Sequence, residues 1–197
     1  MRSTLRAVAV VGAVAFFTAC QSDAPSDPKP VRRAPEAPSA LLLSSPKTVN
    51  VLQRTTPLAN PVTASATVGI FGGVLALPSA GLTVIIPPMA VTRTTTLSVT
   101  ALPGSNVAYE FSPHGTTFGV PLIATQSLNG TNTSGLNIGL FFAGYYQSPA
   151  DLGSGVATIT EILNAGVSLP LQTVTFGIRH FSGYIVATGC EGDGAAQ

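Results

Sequence analysis

The sequence predicts an all-β fold: a single antiparallel β-sandwich preceded by a disordered tether. From about Thr67 onward, short apolar or alternating runs are separated by Gly and Pro, and no helical period is sustained. The chain is 45% hydrophobic but only 9% charged, so Thr, Ser, Asn and Gln must make the polar surface, a pattern that suits a secreted β protein. Its 197 residues leave room for one domain of ordinary size.

The chain opens with "MRSTLR", which supplies positive charge through Arg2 and Arg6. An apolar run, "AVAVVGAVAFF" over residues 7–17, follows and is too short to span a bilayer. Residues 1–19 therefore read as a secretory signal peptide. It ends in "FTAC", where Thr18 and Ala19 before Cys20 resemble the lipobox of bacterial lipoproteins, with Phe17 standing where leucine is usual. That resemblance implies that Cys20 is lipidated and becomes the mature N-terminus. Gln21 follows, where aspartate is associated with inner-membrane retention in enteric bacteria. The expected location is thus the bacterial cell envelope, lipid-anchored at the outer membrane. Cys190 is the only other cysteine, and acylation of Cys20 leaves it a free thiol. The competing reading is a Cys20–Cys190 disulfide, which an oxidising envelope permits.

After the leader, "QSDAPSDPKPVRRAPEAPSA" combines prolines, alternating charges and almost no large apolar residue, so it cannot support a packed core. "LLLSSPKTVNVLQRTTPLANP", residues 41–61, is broken by Pro46, Pro57 and Pro61 and reads either as a first strand or as more linker. The lipidated N-terminus and linker are assigned to 20–65, the sandwich to 66–189 and a flexible tail to 190–197. Strands are expected near Gly73–Leu77, Leu82–Ile86, Leu97–Ala101, Val107–Phe111, Leu122–Ser127, Asn137–Phe142, Val156–Ile162, Thr173–Ile178 and Phe181–Thr188. Pro87 and Pro88 end their strand because neither can donate to a ladder. Short strands with regular turn signals make a sandwich or barrel.

Three stretches carry a family resemblance. "GGVLALPSAGLTVIIPPMAV" (Gly72 to Val91) combines a double glycine, a strand, a turn and an apolar strand running into "IPP". "YEFSPHGTTFGVPLIAT" (Tyr109 to Thr125) has a proline-histidine-glycine turn leading to a proline-led strand, and "HFSGYIV" (His180 to Val186) closes the series. Together they resemble the ZU-five domain, a β-sandwich shared by zonula occludens proteins, netrin receptors of the uncoordinated-five type and ankyrins. The resemblance spans Val68 to Gly189, and the stretch 129–170 departs from it in being longer and richer in Gly and Asn. It implies a protein-binding or docking module. It also implies a second use, because some members cleave themselves within His-Phe-Ser; here Ser182 would attack the carbonyl of Phe181.

That chemistry is local: the hydroxyl reaches the preceding carbonyl through a five-membered ring, so covalent geometry supplies proximity. Folding must add a base, oxyanion stabilisation and strain. His180 is the candidate base. In a regular strand, residues two apart share a face but stand roughly 6.5 Å apart, and His180 would miss Ser182. The apolar phase slips here, however: Val174, Phe176 and Ile178 are even, while Phe181, Ile185 and Ala187 are odd. A bulge, bend or new strand is expected between Ile178 and Phe181. The simpler reading makes His180 and Ser182 structural, with Phe181 filling the core.

Other chemistries find little support. Net charge +1 without a Lys/Arg-rich run gives no footprint for nucleic acid. Glu110, Asp151 and Glu161 show neither metal-ligand spacing nor a glycosidase pair, and His114 reads as a turn histidine in "SPHGT". No G-x-S-x-G elbow or phosphate loop occurs, and no cofactor or metal is expected. A carbohydrate- or polymer-binding module is a third reading. It would need an aromatic platform, which only "FFAGYY" (Phe141 to Tyr146) could supply, and there Phe141 and Phe142 read as core on alternate faces, leaving Tyr145 and Tyr146 as the residues to test. The leading expectation is a lipid-anchored envelope protein, not an enzyme, whose sandwich binds a protein partner, with a membrane as second partner through Cys20.

Overall fold

The computed structural model describes residues 40–190. The signal peptide, Cys20, the start of the tether and the end of the tail lie outside the described residues. Within them the chain is all-β. The N-terminal strands are β1 (Ala40–Val51), β2 (Gln53–Leu58) and β3 (Val62–Val68). Then follow β4 (Gly73–Leu77), β5 (Leu82–Ile86), β6 (Thr95–Ala101), β7 (Gly104–Asn106), β8 (Ala108–Ser112) and β9 (Thr117–Ser127). The C-terminal half adds β10 (Phe142–Tyr146), β11 (Val156–Leu163), β12 (Ala165–Ser168), β13 (Thr173–His180) and β14 (Gly183–Cys190).

Antiparallel pairing joins these strands into a seven-stranded sheet of order β1-β11-β10-β14-β8-β6-β3 and a five-stranded sheet of order β12-β13-β9-β5-β4, with β2 and β7 as a small ribbon. Alternation decides which side chains lie between the sheets. Leu82, Val84 and Ile86 point inward from β5, Leu97, Val99 and Ala101 from β6, and Val174, Phe176 and Ile178 from β13. β1 pairs with β14 as well as β11, so β1, β11, β10 and β14 close on themselves. Inside that ring Val49, Val51, Tyr146, Ile159, Ile185 and Ala187 form a second core.

Strands β4 and β5 occupy the expected residues, because both alternate cleanly and are bounded by Gly and Pro. Three expectations are corrected. Residues 40–65 are not linker: they form β1, β2 and the start of β3. Their prolines stand where the ladders are interrupted. Pro46 lies in the β1–β11 register break between Leu42 and Lys47, and Pro57 in the β2–β7 break between Gln53 and Leu58. Cys190, assigned to the tail, ends β14 opposite Val49 and carries a free thiol. The strand expected over Asn137–Phe142 is instead a 3-10 turn, Ile138–Leu140, followed by β10. The Asn137 side chain caps that turn by accepting the Gly139 N–H at 3.1 Å, an alternative to ladder pairing available to Asn.

Candidate functional site

β13 belongs to the five-stranded sheet and β14 to the seven-stranded one, so Phe181 and Ser182 form a two-residue crossing between them. The β13–β9 register breaks between Ile178 and His180, and at Gly183 the chain enters another sheet, where β14 is buried on both faces: Tyr184 and Val186 join the main core, while the odd residues Ile185 and Ala187 face the second. The expected irregularity is therefore present. Phe181 plugs the seam, its ring 5.1 Å from Phe111 and 4.8 Å from Phe118.

The crossing is pinned by the proline-histidine-glycine turn. Phe181 N–H donates to the Thr116 carbonyl at 2.8 Å, and Gly115 N–H donates to the Phe181 carbonyl at 3.0 Å. The Ser182 carbonyl accepts the Phe111 N–H at 2.9 Å. Two of the three stretches singled out in the sequence thus pack on one another. Gly115 can serve because φ +75° suits a residue without a Cβ.

His180 does not turn toward Ser182. Its Nε2 lies 2.9 Å from Glu161 Oε2, and its Nδ1 lies 3.3 Å from the Tyr184 hydroxyl, which also donates to the His180 carbonyl. The Tyr145 ring meets the imidazole edge-on at a centroid distance of 4.8 Å. Burial pushes the Tyr184 hydroxyl far above its usual range, and the nearby Glu161 charge adds to the rise, so this phenol is a neutral donor. Ser182 is only 7% exposed. The residues brought together are His180, Glu161, Tyr184 and Tyr145; neither ring nitrogen of His180 bonds Ser182.

Glu161 escaped the sequence reading as a partner of His180, although a signal existed. It occupies the same alternating register in β11 as Ala157, Ile159 and Leu163, all buried, and a carboxylate in such a register demands a partner. His114 sits in its turn with Nε2 3.2 Å from Glu110 Oε2, its side chain largely exposed. Among the described residues no three His, Cys, Asp or Glu side chains converge as metal ligands. In "FFAGYY" the Phe141 and Tyr146 rings are buried in the two cores and Tyr145 packs on His180 and Tyr184, so this stretch presents no open aromatic platform.

Neither a search of protein-family models nor one of curated proteins returns a match for this chain.

Proposed function

We propose that this protein is a lipid-anchored component of the bacterial cell envelope whose ZU-five-like sandwich is a protein-interaction module, not an enzyme. The observation that carries the interaction reading is an apolar row on the outer face of the five-stranded sheet. Val74 pairs with Ile85 and Ile85 with Ile123, and all three side chains face solvent. Two turns extend the row: Phe71 is 87% exposed and Met89 65% exposed, with Ile70 beside Phe71. Met89 N–H donates to the Ile70 carbonyl at 2.8 Å, holding the turns together, and Met89 keeps φ +65°, uncommon for a residue with a Cβ. Exposed apolar rows of this kind mark binding faces. Cys20 stands 20 residues before Ala40, a reach of about 70 Å when extended.

A photo-crosslinking residue placed at Phe71 in the full-length protein in cells tests the module. The expected result is a discrete protein adduct that is lost when Val74, Ile85 and Ile123 are all changed to Ser. Absence of any protein adduct, or an adduct indifferent to the triple change, overturns the reading.

A second reading, single-turnover cleavage between Phe181 and Ser182, is favoured by one contact: Gly115 N–H already bonds the carbonyl oxygen that would take the developing charge. What it lacks is a base, since His180 is held by Glu161 and Tyr184. The intact mass of the freshly folded, fully denatured wild-type protein is therefore expected to be that of the uncut chain. A fragment running from Ser182 to Gln197 that disappears in Ser182→Ala would instead establish self-cleavage and remove "not an enzyme" from the proposal.

A further inference from the structure

Arg54 stands in β2, within the stretch whose prolines hid its strands, and only 8% of its surface is exposed. Its guanidinium is held on two sides. Nη1 donates to the Asn106 carbonyl, and the planar group lies over the Tyr109 ring, 5.7 Å from its centroid. Tyr109 is itself fixed, its hydroxyl bonding the Ala80 carbonyl at 2.8 Å and Gln126 Oε1. Burial pushes that hydroxyl up to about 12 against the opposing pull of the Arg54 charge, so at neutral pH the phenol supplies no counter-charge.

The other edge of the guanidinium is unserved. Nε and Nη2 are buried and have no hydrogen-bond partner among the described residues. Neither the His114–Glu110 nor the His180–Glu161 ion pair involves Arg54. An arginine cannot shed its proton to escape burial, and an isolated buried charge is costly. Nε and Nη2 also form the edge of a guanidinium that presents two parallel N–H groups, the fork that matches a carboxylate or a phosphate.

Arg54 lines a cleft of about 350 Å³, within the size range of small-ligand sites. Its walls are β2, the turn Pro78–Gly81, the end of β9 and the turn 129–131. Ser79, Ser127 and Asn129 give these walls hydroxyl and amide groups. Thr55 ties the 129–131 turn to β2 through its N–H and its hydroxyl, both bonding the Gly130 carbonyl.

We propose that this cleft binds a small oxyanion, a carboxylate or phosphate group, through the Nε/Nη2 edge of Arg54, with the 129–131 turn opening to admit it. The site goes beyond the interaction module and does not depend on it. The pinned guanidinium is organised before the ligand arrives, and because its free edge is closed to bulk water, the attraction is stronger than at a surface arginine.

Calorimetric titration of the full-length protein with acetate, succinate and inorganic phosphate, in chloride buffer, tests the site. Saturable one-site binding of at least one probe is expected, and the tighter probe shows whether the ligand is a carboxylate or a phosphate. Arg54→Lys is expected to weaken binding at least tenfold by removing the fork, and Arg54→Gln to abolish it. Should either variant fail to fold, Ser79→Trp decides: this exposed wall position takes a ring that fills the cleft, so binding is lost at an unchanged melting temperature. No saturable binding of any probe to the wild type, or binding that persists in Ser79→Trp, overturns the proposal.

Discussion

Gly183→Ala is expected to lower the unfolding free energy by about 3 kcal/mol, combining core overpacking with a displaced buried hydrogen bond. A Cβ at this position would lie 2.3 Å from Tyr146 Cε2 and 2.4 Å from its Cζ. The Tyr146 ring cannot swing aside, because it is fully buried in the second core and its hydroxyl donates to the Tyr109 carbonyl at 3.1 Å. Tyr146 also sits directly opposite Gly183 in the β10–β14 pairing, so displacement would reach both strands. For a domain of this size the change corresponds to a fall in melting temperature of about 10 °C. Gly166→Ala is the control: its added Cβ meets only the Thr175 carbonyl oxygen, at 3.9 Å, and stability should change by less than about 0.5 kcal/mol. Urea unfolding of both variants with unchanged m-values gives the comparison. A Gly183→Ala protein within 1 kcal/mol of wild type would show that the ring yields and that packing does not explain this glycine. The double variant Gly183→Ala/Tyr146→Leu should recover part of the loss.

The same residues show how far the sequence could be read. Local alternation was enough for β4 and β5, where one face is buried and the other exposed in strict turn. The phase slip at Phe181 was legible because register is a two-residue property, and a break in it needs a physical cause. That the chain crosses between sheets there, and that Ile185 and Ala187 face a second core, was not legible, since periodicity says nothing about which sheet a strand joins or what covers its other face. β1 and β2 were obscured because proline counts against a strand only where the ladder is continuous, and gaps in pairing are set by distant partners. The candidate site divides in the same way. His180, Phe181 and Ser182 announce themselves as neighbours in the chain, but Glu161 and Tyr145 reach His180 from β11 and β10 through the topology of the sheets. Arg54 gave no signal at all, because an arginine among threonines and prolines looks solvated until β7 and β8 cover it.

Replacing Cys20 with Ser is expected to move essentially all of the protein from the membrane fraction to the soluble envelope fraction. Each buried methylene of an acyl chain contributes about 0.8 kcal/mol, so two or more long chains hold a protein on a bilayer almost irreversibly, and their loss leaves nothing comparable. Among the described residues no helix is long and apolar enough to cross a membrane. Phe71, at 87%, is the most exposed large apolar side chain among the described residues, and exposed rings can rest on an interface. Phe71→Ser in the Cys20→Ser background separates the two: if the anchor alone holds the protein, the double variant fractionates like the single one. Cys190→Ser is the matching control, because that thiol ends β14 inside the sheet and its loss should leave the wild-type protein on the membrane. Intact mass of the detergent-extracted wild type should show the acyl chains on a polypeptide that begins at Cys20. Cys20→Ser protein that stays with the membrane through a carbonate wash, without its signal peptide, would rule out lipidation as the anchor and leave the exposed apolar face to account for the attachment.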